Sequence, residues 1–264
     1  MTTLALHNSQ LFYQTSGSPQ DPALVLVNGH GRTSKDFKVF GRKLTDAGFF
    51  VITFDNRGCG KTTHRQNIFT LNDIATDLFQ LCTHLNLHKI HLVGFSMGGM
   101  IAQCFAAQHP EKLESLTLVS SSRRKMSPQS PAHIPWSSEY KHNLDKICQY
   151  VANSFYRHNP LILESIAKEN QKNTSCAPDP QSLAIQTFLN SPPPAQSHPH
   201  FSVHIIHGSE DKVFSVADAK HLQQQYGPDC DLELLDNTGH LILIEKNPLL
   251  LMLLRKRLHK QHSS

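Results

Sequence analysis

Short apolar runs alternate with longer helix-like stretches over the first 120 residues of the chain. Residues 90–93 (IHLV) and 116–120 (LTLVS) have the largely apolar character of strands that are buried on both faces of a sheet. The Ala-rich stretch Met97–Gln108 (MGGMIAQCFAAQ) predicts a helix, which should end before the His109-Pro110 step because proline disfavours helical backbone in the preceding residue. This alternation predicts an α/β fold with a mainly parallel sheet.

The alternation of strands and helices stops after residue 120. Residues 121–200 contain several helix-like stretches without strand alternation, and Pro192-Pro193-Pro194 with Pro199 indicates a stiff return to the sheet. We therefore expect residues 1–120 and 201–264 to form one core, with residues 121–200 as a helical insertion.

The composition is that of a single globular unit, with 264 residues of which 39% are hydrophobic. A chain of this length can bury one large core, and single α/β domains of this size are common. The N-terminus, MTTLALHN, lacks the basic start and the continuous apolar stretch of a signal peptide, so we expect a cytoplasmic protein. The six cysteines have no disulfide-scaffold spacing and suit free thiols in a reducing compartment: Cys59, Cys82, Cys104, Cys148, Cys176 and Cys230.

A leucine-rich run near the C-terminus raises the question of a membrane anchor. Residues 249–254 are apolar and are followed by Arg255, Lys256 and Arg257. The run is too short to span a bilayer, because a span needs about 20 apolar residues. An amphipathic helix on a membrane surface is one alternative. We favour a closing helix that packs on the sheet, with its basic end complementing the helix dipole.

A candidate nucleophile lies between the predicted strand at residues 90–93 and the predicted helix. The sequence Gly94-Phe95-Ser96-Met97-Gly98-Gly99 has the Gly-x-Ser-x-Gly spacing of a serine on a sharp strand-to-helix turn. Such a turn lifts the Ser96 hydroxyl clear of the sheet and crowds the residues two positions away, and glycine at both positions relieves that crowding. An ordinary loop would also fit the string alone, but its context favours a nucleophilic serine.

Two later segments supply an acid and a histidine in the chain order Ser, Asp, His that this turn predicts. Asp211 follows a predicted strand, at a strand end where loops carry catalytic groups. Glu210 is the competing acid, and a solvated loop carboxylate is the alternative interpretation of either residue. His240 follows Gly239, which lets its loop approach the site. Because the chain has 18 histidines, His240 is singled out by its order after Ser96 and Asp211.

Three further motifs accompany the serine turn. They are His207-Gly208-x-x-Asp211-x-Val213, Gly239-His240 followed by Glu245 and Pro248, and residues 54–62 (FDNRGCGKT), with threonine where serine is usual. Together these motifs resemble the α/β-hydrolase family over nearly the whole chain, and more closely its small cytosolic esterases, enol-lactonases and carbon–carbon hydrolases. The resemblance implies an α/β-hydrolase fold with a mainly parallel eight-stranded sheet flanked by helices. It also implies that residues 121–200 form a helical lid.

Acyl transfer also needs two backbone N–H groups aimed at the oxygen that gains charge. One candidate is the amide of Met97, directly after the nucleophile, and the other lies in the turn Asn28-Gly29-His30-Gly31-Arg32. The family usually has His-Gly at the first two of these positions, so the register stays open between His30 and Arg32. We favour the amide of His30. A plain strand-to-helix connection is the alternative reading of this turn.

The residues suit acyl transfer through a covalent intermediate, in which a carboxylic ester or lactone is cleaved by Ser96. His240 takes the serine proton, and Asp211 orients and stabilises the resulting histidinium. Water activated by His240 then releases the acid product. We expect no metal and no organic cofactor, since the chain has no His-Glu-x-x-His and no Cys-x-x-Cys pattern.

Residues 121–195 carry most of the excess positive charge. Eight basic and five acidic residues lie there, which gives +3 of the chain's net +4. A solvated helical face accounts for such charges in most proteins. The sharper hypothesis is an acidic acyl carrier protein that docks through Arg123, Arg124 or Arg157. Nucleic acid is an unsuitable partner, because the charges are not interleaved with aromatic residues.

The substrate has several candidate classes. We favour a small ester or lactone, with Trp136, Phe155, Tyr156 and Phe188 as residues that line an acyl pocket or fill the lid's own core. The residues flanking Ser96 resemble those of esterases that demethylate pimeloyl-acyl-carrier-protein methyl ester in biotin synthesis, although these more often have Trp and Leu there. Residues 55–60 (DNRGCG) are similar to a loop of proline iminopeptidases, which usually have Gly-x-Ser-Trp-Gly. A slow-turnover ligand receptor on the same fold is a further alternative.

Overall fold

The computed structural model describes residues 2–65, 68–134, 137–170, 179–192 and 199–259, without the side chains of residues 156, 157, 169, 170 and 259. The strands within these ranges are β1 Thr2–Ala5, β2 Ser9–Ser16, β3 Ala23–Val27, β4 Phe50–Phe54, β5 Thr63–His64, β6 Ile90–Phe95, β7 Leu113–Val119, β8 Ser202–Gly208 and β9 Asp231–Leu235. The helices are α1 Lys38–Thr45, α2 Leu71–His84, α3 Met97–Gln108, α4 Tyr140–Cys148, α5 Asn153–His158, α6 Pro160–Asn170, α7 Pro180–Asn190, α8 Val216–Tyr226, α9 Ile242–Glu245 and α10 Asn247–His259.

The strands form one sheet in the order β1-β2-β4-β3-β6-β7-β8-β9. From β4 to β9 along this order every neighbouring pair is parallel, whereas β1 and β2 are antiparallel to their neighbours. A ninth strand, the two-residue β5, pairs with β2 at the side of this path. The predicted mainly parallel eight-stranded sheet is therefore confirmed, with one short strand added.

Helices cover both faces of the sheet, which explains why its central strands are largely apolar. Along β3, Val25 faces a cluster packed by α2, α3 and α8, whereas Leu24 and Leu26 face the cluster packed by α1 and α10. A strand buried on both faces needs apolar residues at every position rather than at alternate ones. The same packing holds Cys82 and Cys104, where burial raises the pKa of both thiols to about 12.

The C-terminal helix α10 packs on the sheet, as predicted, and lies on the same side as α1. Leu250, Leu254 and Leu258 are buried against this face. Arg257 donates to carboxylates of Asp231 and Glu233 on the edge strand β9. Across the described part of the chain, no helix is both long and apolar enough to cross a membrane.

Between β7 and β8 the described residues form the helices α4 to α7 and no strand. This segment corresponds to the predicted helical insertion at residues 121–200. Its helices α4 and α6 pack on each other around Ile147, Val151 and Leu163. The register of the sheet aligns Gly94 with Val27 and with Leu118, so the carboxyl ends of β3, β6 and β7 meet at one edge. The connections that leave this edge carry the candidate site.

Candidate active site

Ser96 lies on a sharp turn between β6 and α3. Its backbone has φ 54° and ψ −117°, a conformation that non-glycine residues seldom adopt. A Cβ atom at Gly94 would lie 2.3 Å from the Gly98 carbonyl oxygen, and one at Gly98 would lie 2.2 Å from the Val27 carbonyl oxygen. Glycine is therefore required at both positions that flank the serine. Gly94 is crowded within the turn, as the sequence suggests, whereas Gly98 is crowded by the end of β3.

The side chains of Ser96, His240 and Asp211 form a continuous hydrogen-bonded relay. His240 Nε2 lies 2.9 Å from Ser96 Oγ, and His240 Nδ1 lies 2.8 Å from Asp211 Oδ2. Because an ionised carboxylate can only accept, Nδ1 carries the proton and Nε2 accepts from the serine hydroxyl. Glu210, the competing acid, makes no such contact with His240, so the histidine is paired with Asp211.

Asp211 is held in place by its own loop. Its Oδ1 accepts hydrogen bonds from the N–H groups of Val213, at 2.8 Å, and of Phe214, at 3.0 Å. The buried His207 donates from Nε2 to the Phe214 carbonyl oxygen at 3.0 Å, which braces the same turn. The carboxylate that faces His240 therefore has little freedom to rotate.

The loop that carries His240 is tied to the helical insertion, through residues that the sequence did not single out for this role. The N–H of His240 donates to the Tyr150 carbonyl oxygen at 2.6 Å. Glu245 Oε2 accepts from the N–H groups of Gly239, at 2.8 Å, and of Ala152, at 2.9 Å. Burial raises the pKa of the Glu245 carboxyl, and its N–H donors partly offset that rise. Glu245 appeared in the sequence only as part of a family motif, and Tyr150 had no signal.

The turn after β3 lies beside the serine. A Cβ atom at Gly29 would lie 3.9 Å from Ser96 Oγ. Within this turn the N–H of Gly29 donates to Asn28 Oδ1, that of Gly31 to Gln181 Oε1, and that of Arg32 to the Gly29 carbonyl oxygen.

The two backbone N–H groups that the sequence favours for the oxyanion have no acceptor among the described residues. One belongs to His30, in the turn after β3, and the other to Met97, the residue that begins α3. Buried N–H groups normally have a partner. These two amides are therefore available to an incoming acceptor.

The predicted lid residues occupy different surroundings. Phe155 is half-buried in the cluster of α4 and α6, which also contacts Leu241, the residue after His240. Phe188 packs in the main core, and the Arg123 guanidinium stacks on its ring at 3.7 Å from the centroid. Arg123 and Phe188 border a groove of about 420 Å³ that none of the three relay residues lines.

The other predicted lid residues add little to the site. Arg124 Nε lies 3.8 Å from Asp218 Oδ1 on α8. Trp136 and the side chains of Tyr156 and Arg157 lie outside the described residues.

In the portion of the chain that the structure describes, no group of three or more His, Cys, Asp or Glu residues is arranged to hold a metal ion.

Comparison with known proteins identifies the family to which the chain belongs. A model of the alpha/beta hydrolase fold matches residues 22–247. The chain is 25% identical to 3-oxoadipate enol-lactonase 2 of Acinetobacter baylyi over 83% of each chain. It is also 25% identical to the Homo sapiens monoacylglycerol lipase ABHD6, over 90% of this chain and 75% of that protein.

A solved structure shares the fold over the full length of both chains. It is a thermophilic esterase from Thermogutta terrifontis, with a TM-score of 0.79 and 22% identity over 99% of this chain and 100% of the other. At this level of identity the likeness concerns the fold. With the family match over most of the sequence, the chain belongs to the α/β-hydrolase fold family.

Proposed function

We propose that the protein is a serine hydrolase that cleaves a carboxylic ester or a lactone through an acyl-enzyme intermediate. The observation that carries the proposal is the unbroken relay from Asp211 through His240 to Ser96, with contacts of 2.8 and 2.9 Å. The similarity to an enol-lactonase and a monoacylglycerol lipase supports ester cleavage as the reaction class.

In the proposed first step, His240 Nε2 takes the proton of Ser96 while the serine oxygen attacks the carbonyl carbon. Asp211 keeps the proton on Nδ1 and stabilises the histidinium that forms. The histidinium then protonates the leaving group, and the acyl group stays on Ser96. In the second step His240 deprotonates water, which attacks the acyl-enzyme and restores the serine.

The oxyanion of each tetrahedral intermediate would accept from the N–H groups of Met97 and His30. Both N–H groups lack an acceptor among the described residues, which supports this assignment. The N–H of Arg32 already donates to the Gly29 carbonyl oxygen at 3.2 Å, which argues against the alternative register.

Residues 121–200 would act as the lid, with the remainder of the chain as the hydrolase core. Three hydrogen bonds support this role. Those of Tyr150 and Ala152 hold the loop of His240, and that of Gln181 on α7 reaches the turn that contains His30. The contacts of Arg123 and Arg124 are made within the chain, and they give a carrier-protein partner no support.

The test is the hydrolysis of para-nitrophenyl esters from acetate to decanoate by the wild type and by Ser96→Ala. We expect the variant to lose at least about 10³-fold in kcat, because the nucleophile and its base act as a unit. The matched control is Ser209→Ala, an exposed serine in the loop after β8, which should keep wild-type activity. Equal rates for Ser96→Ala and the wild type would overturn the proposal.

A further inference from the structure

The N-terminal end of α7 is joined to the turn that contains His30. Asp179 caps α7 by accepting from the Gln181 N–H at 3.1 Å and from the Ser182 hydroxyl at 3.0 Å. The same carboxylate pairs with His30 Nε2. Burial alone would raise the pKa of Asp179, but its contacts with His30, with Ser182 and with the Gln181 N–H lower it below its ordinary value. The insertion thus makes a polar contact with the proposed oxyanion turn.

Gln181 makes the more constrained contact. Gln181 is only 1% exposed, and its side chain bridges two loops of the core. Gln181 Oε1 accepts from the Gly31 N–H at 2.7 Å, and Gln181 Nε2 donates to the Arg57 carbonyl oxygen at 2.6 Å. The orientation of the amide follows from its partners, because a backbone N–H only donates and a carbonyl only accepts.

The second loop gives Gln181 a firm support. The Arg57 guanidinium forms two hydrogen bonds with the buried Asp77 of α2, at 2.6 and 2.8 Å. Asn56, the preceding residue, donates from Nδ2 to the Asn28 carbonyl oxygen at 2.9 Å. The oxyanion turn is therefore held from one side by the loop after β4 and from the other by α7.

The bond to Gln181 occupies the Gly31 N–H, whereas the neighbouring His30 N–H has no acceptor among the described residues. Gly31 has φ +66°, a left-handed conformation that glycine adopts without strain. Without an acceptor at this position, the Gly31 N–H would lose the partner that it has in α7. The turn could then relax toward another acceptor, which would redirect the neighbouring His30 N–H away from the reacting oxygen.

We infer that Gln181 is a positioning residue for the oxyanion turn, residues 28–32. Through Gln181, the packing of α7 on the core fixes the conformation of this turn. Hydrolysis then depends on the insertion being seated on the core, so the lid helix controls the chemical step as well as access. This inference rests on the proposed function, because it assigns a role at the same site.

The experiment compares Gln181→Met with Gln186→Met, the same change at an exposed position of α7. Methionine keeps the length of the side chain but neither accepts from Gly31 nor donates to Arg57. We expect Gln181→Met to lower kcat on a para-nitrophenyl ester by about 10²-fold, the effect of losing one oxyanion donor. KM should change by less than about 3-fold, since the substrate ground state makes little use of this donor. Gln186→Met should match the wild type.

A trifluoromethyl ketone provides a second readout, because its adduct with serine carries the oxyanion. Its inhibition constant should rise in Gln181→Met by the same factor by which kcat/KM falls. A role limited to general stability would leave both quantities unchanged in the folded variant. If circular dichroism shows that Gln181→Met does not fold, Gln181→Asn replaces it, since the shorter amide stays polar but cannot reach both loops.

The outcomes separate this inference from the proposed function. A wild type that hydrolyses esters, together with a folded Gln181→Met or Gln181→Asn of unchanged kcat and inhibition constant, overturns the inference alone. A wild type without ester hydrolysis and without inhibition by the ketone overturns the proposed function itself.

Discussion

Asp211 determines which ring nitrogen of His240 carries the proton, because a carboxylate can only accept hydrogen bonds. With Oδ1 occupied by two backbone N–H groups, Oδ2 is left for His240 Nδ1 at 2.8 Å. The imidazole therefore presents its unprotonated Nε2 to Ser96. The chemistry proposed for the serine thus depends on the charge of a residue that never touches it.

Replacing Asp211 with asparagine tests this dependence. The amide cannot hold the same tautomer of His240, and we expect kcat to fall by about 10⁴-fold with the fold preserved. Stopped assays on a para-nitrophenyl ester measure the effect. Glu210→Gln, which makes the same chemical change at the adjacent acid, is the control and should stay within about 2-fold of the wild type. A larger loss in Glu210→Gln than in Asp211→Asn would show that the acid is wrongly assigned.

At this scale the sequence could predict the residues whose roles follow from local spacing. The glycines around Ser96 and the order of Asp211 and His240 belong to that group. The partners supplied by Tyr150 and Gln181 do not, because each comes from a distant segment. Gln181 and Gly31, for example, are 150 positions apart in the chain.

Helices and strands follow their sequence patterns closely where burial is continuous. The predicted limits of α3 agree with the structure, since the glycine-flanked turn at Ser96 and the His109-Pro110 step mark its ends. The two-residue β5 had no such signal, because it exists only through its pairing with β2. An element that depends on a partner strand cannot be found from its own residues.

The C-terminal helix α10 provides a test at the scale of one element. Leu254 is fully buried against the sheet, so Leu254→Ala should lower the free energy of unfolding by about 2 to 5 kcal/mol. The control is Met252→Ala on the same helix, where the side chain is 55% exposed and the change should stay within about 0.5 kcal/mol. Urea unfolding measures both values. Equal stability of the two variants would contradict the packing of α10 and favour a surface helix.

The helical insertion contains a lysine, Lys146, that becomes buried when the chain folds. Lys146 on α4 is only 3% exposed, donates from Nζ to the Ile134 carbonyl oxygen, and lies over the Tyr150 ring. Burial lowers the pKa of Lys146 from 10.5 to about 8, and the nearby charge of Asp179 acts in the opposite direction. The unfolded chain therefore binds more protons than the folded one between pH 8 and 10.5.

The contribution of Lys146 to the stability of the fold should consequently rise with pH across that window. The lysine contributes on the order of 3 kcal/mol to this rise. Lys146→Met should remove it, so that the difference in stability between wild type and variant changes between pH 7 and pH 10. Lys141→Met, at an exposed position of the same helix, is the control. Denaturation curves at both pH values give the free energies of unfolding. The same change in free energy of unfolding from pH 7 to pH 10 in wild type and Lys146→Met would refute the prediction.

At the scale of the molecule, the sequence predicts the α/β-hydrolase fold because its strands, helices and motifs are each encoded locally. The way in which residues 121–200 meet the core is encoded only in long-range contacts, such as those of Phe155 and Phe188. Both aromatic residues looked alike as candidates to line a pocket. Phe188 lies in the main core under Arg123, whereas Phe155 lies in the cluster of the insertion.

The proposed hydrolysis depends on Ser96 as the nucleophile. Labelling the protein with a fluorophosphonate and locating the adduct by mass spectrometry of its peptides tests this role. We expect one adduct per chain, on Ser96, that is absent from a folded Ser96→Ala variant. An adduct on another residue, or no adduct on a wild type that hydrolyses esters, would contradict it.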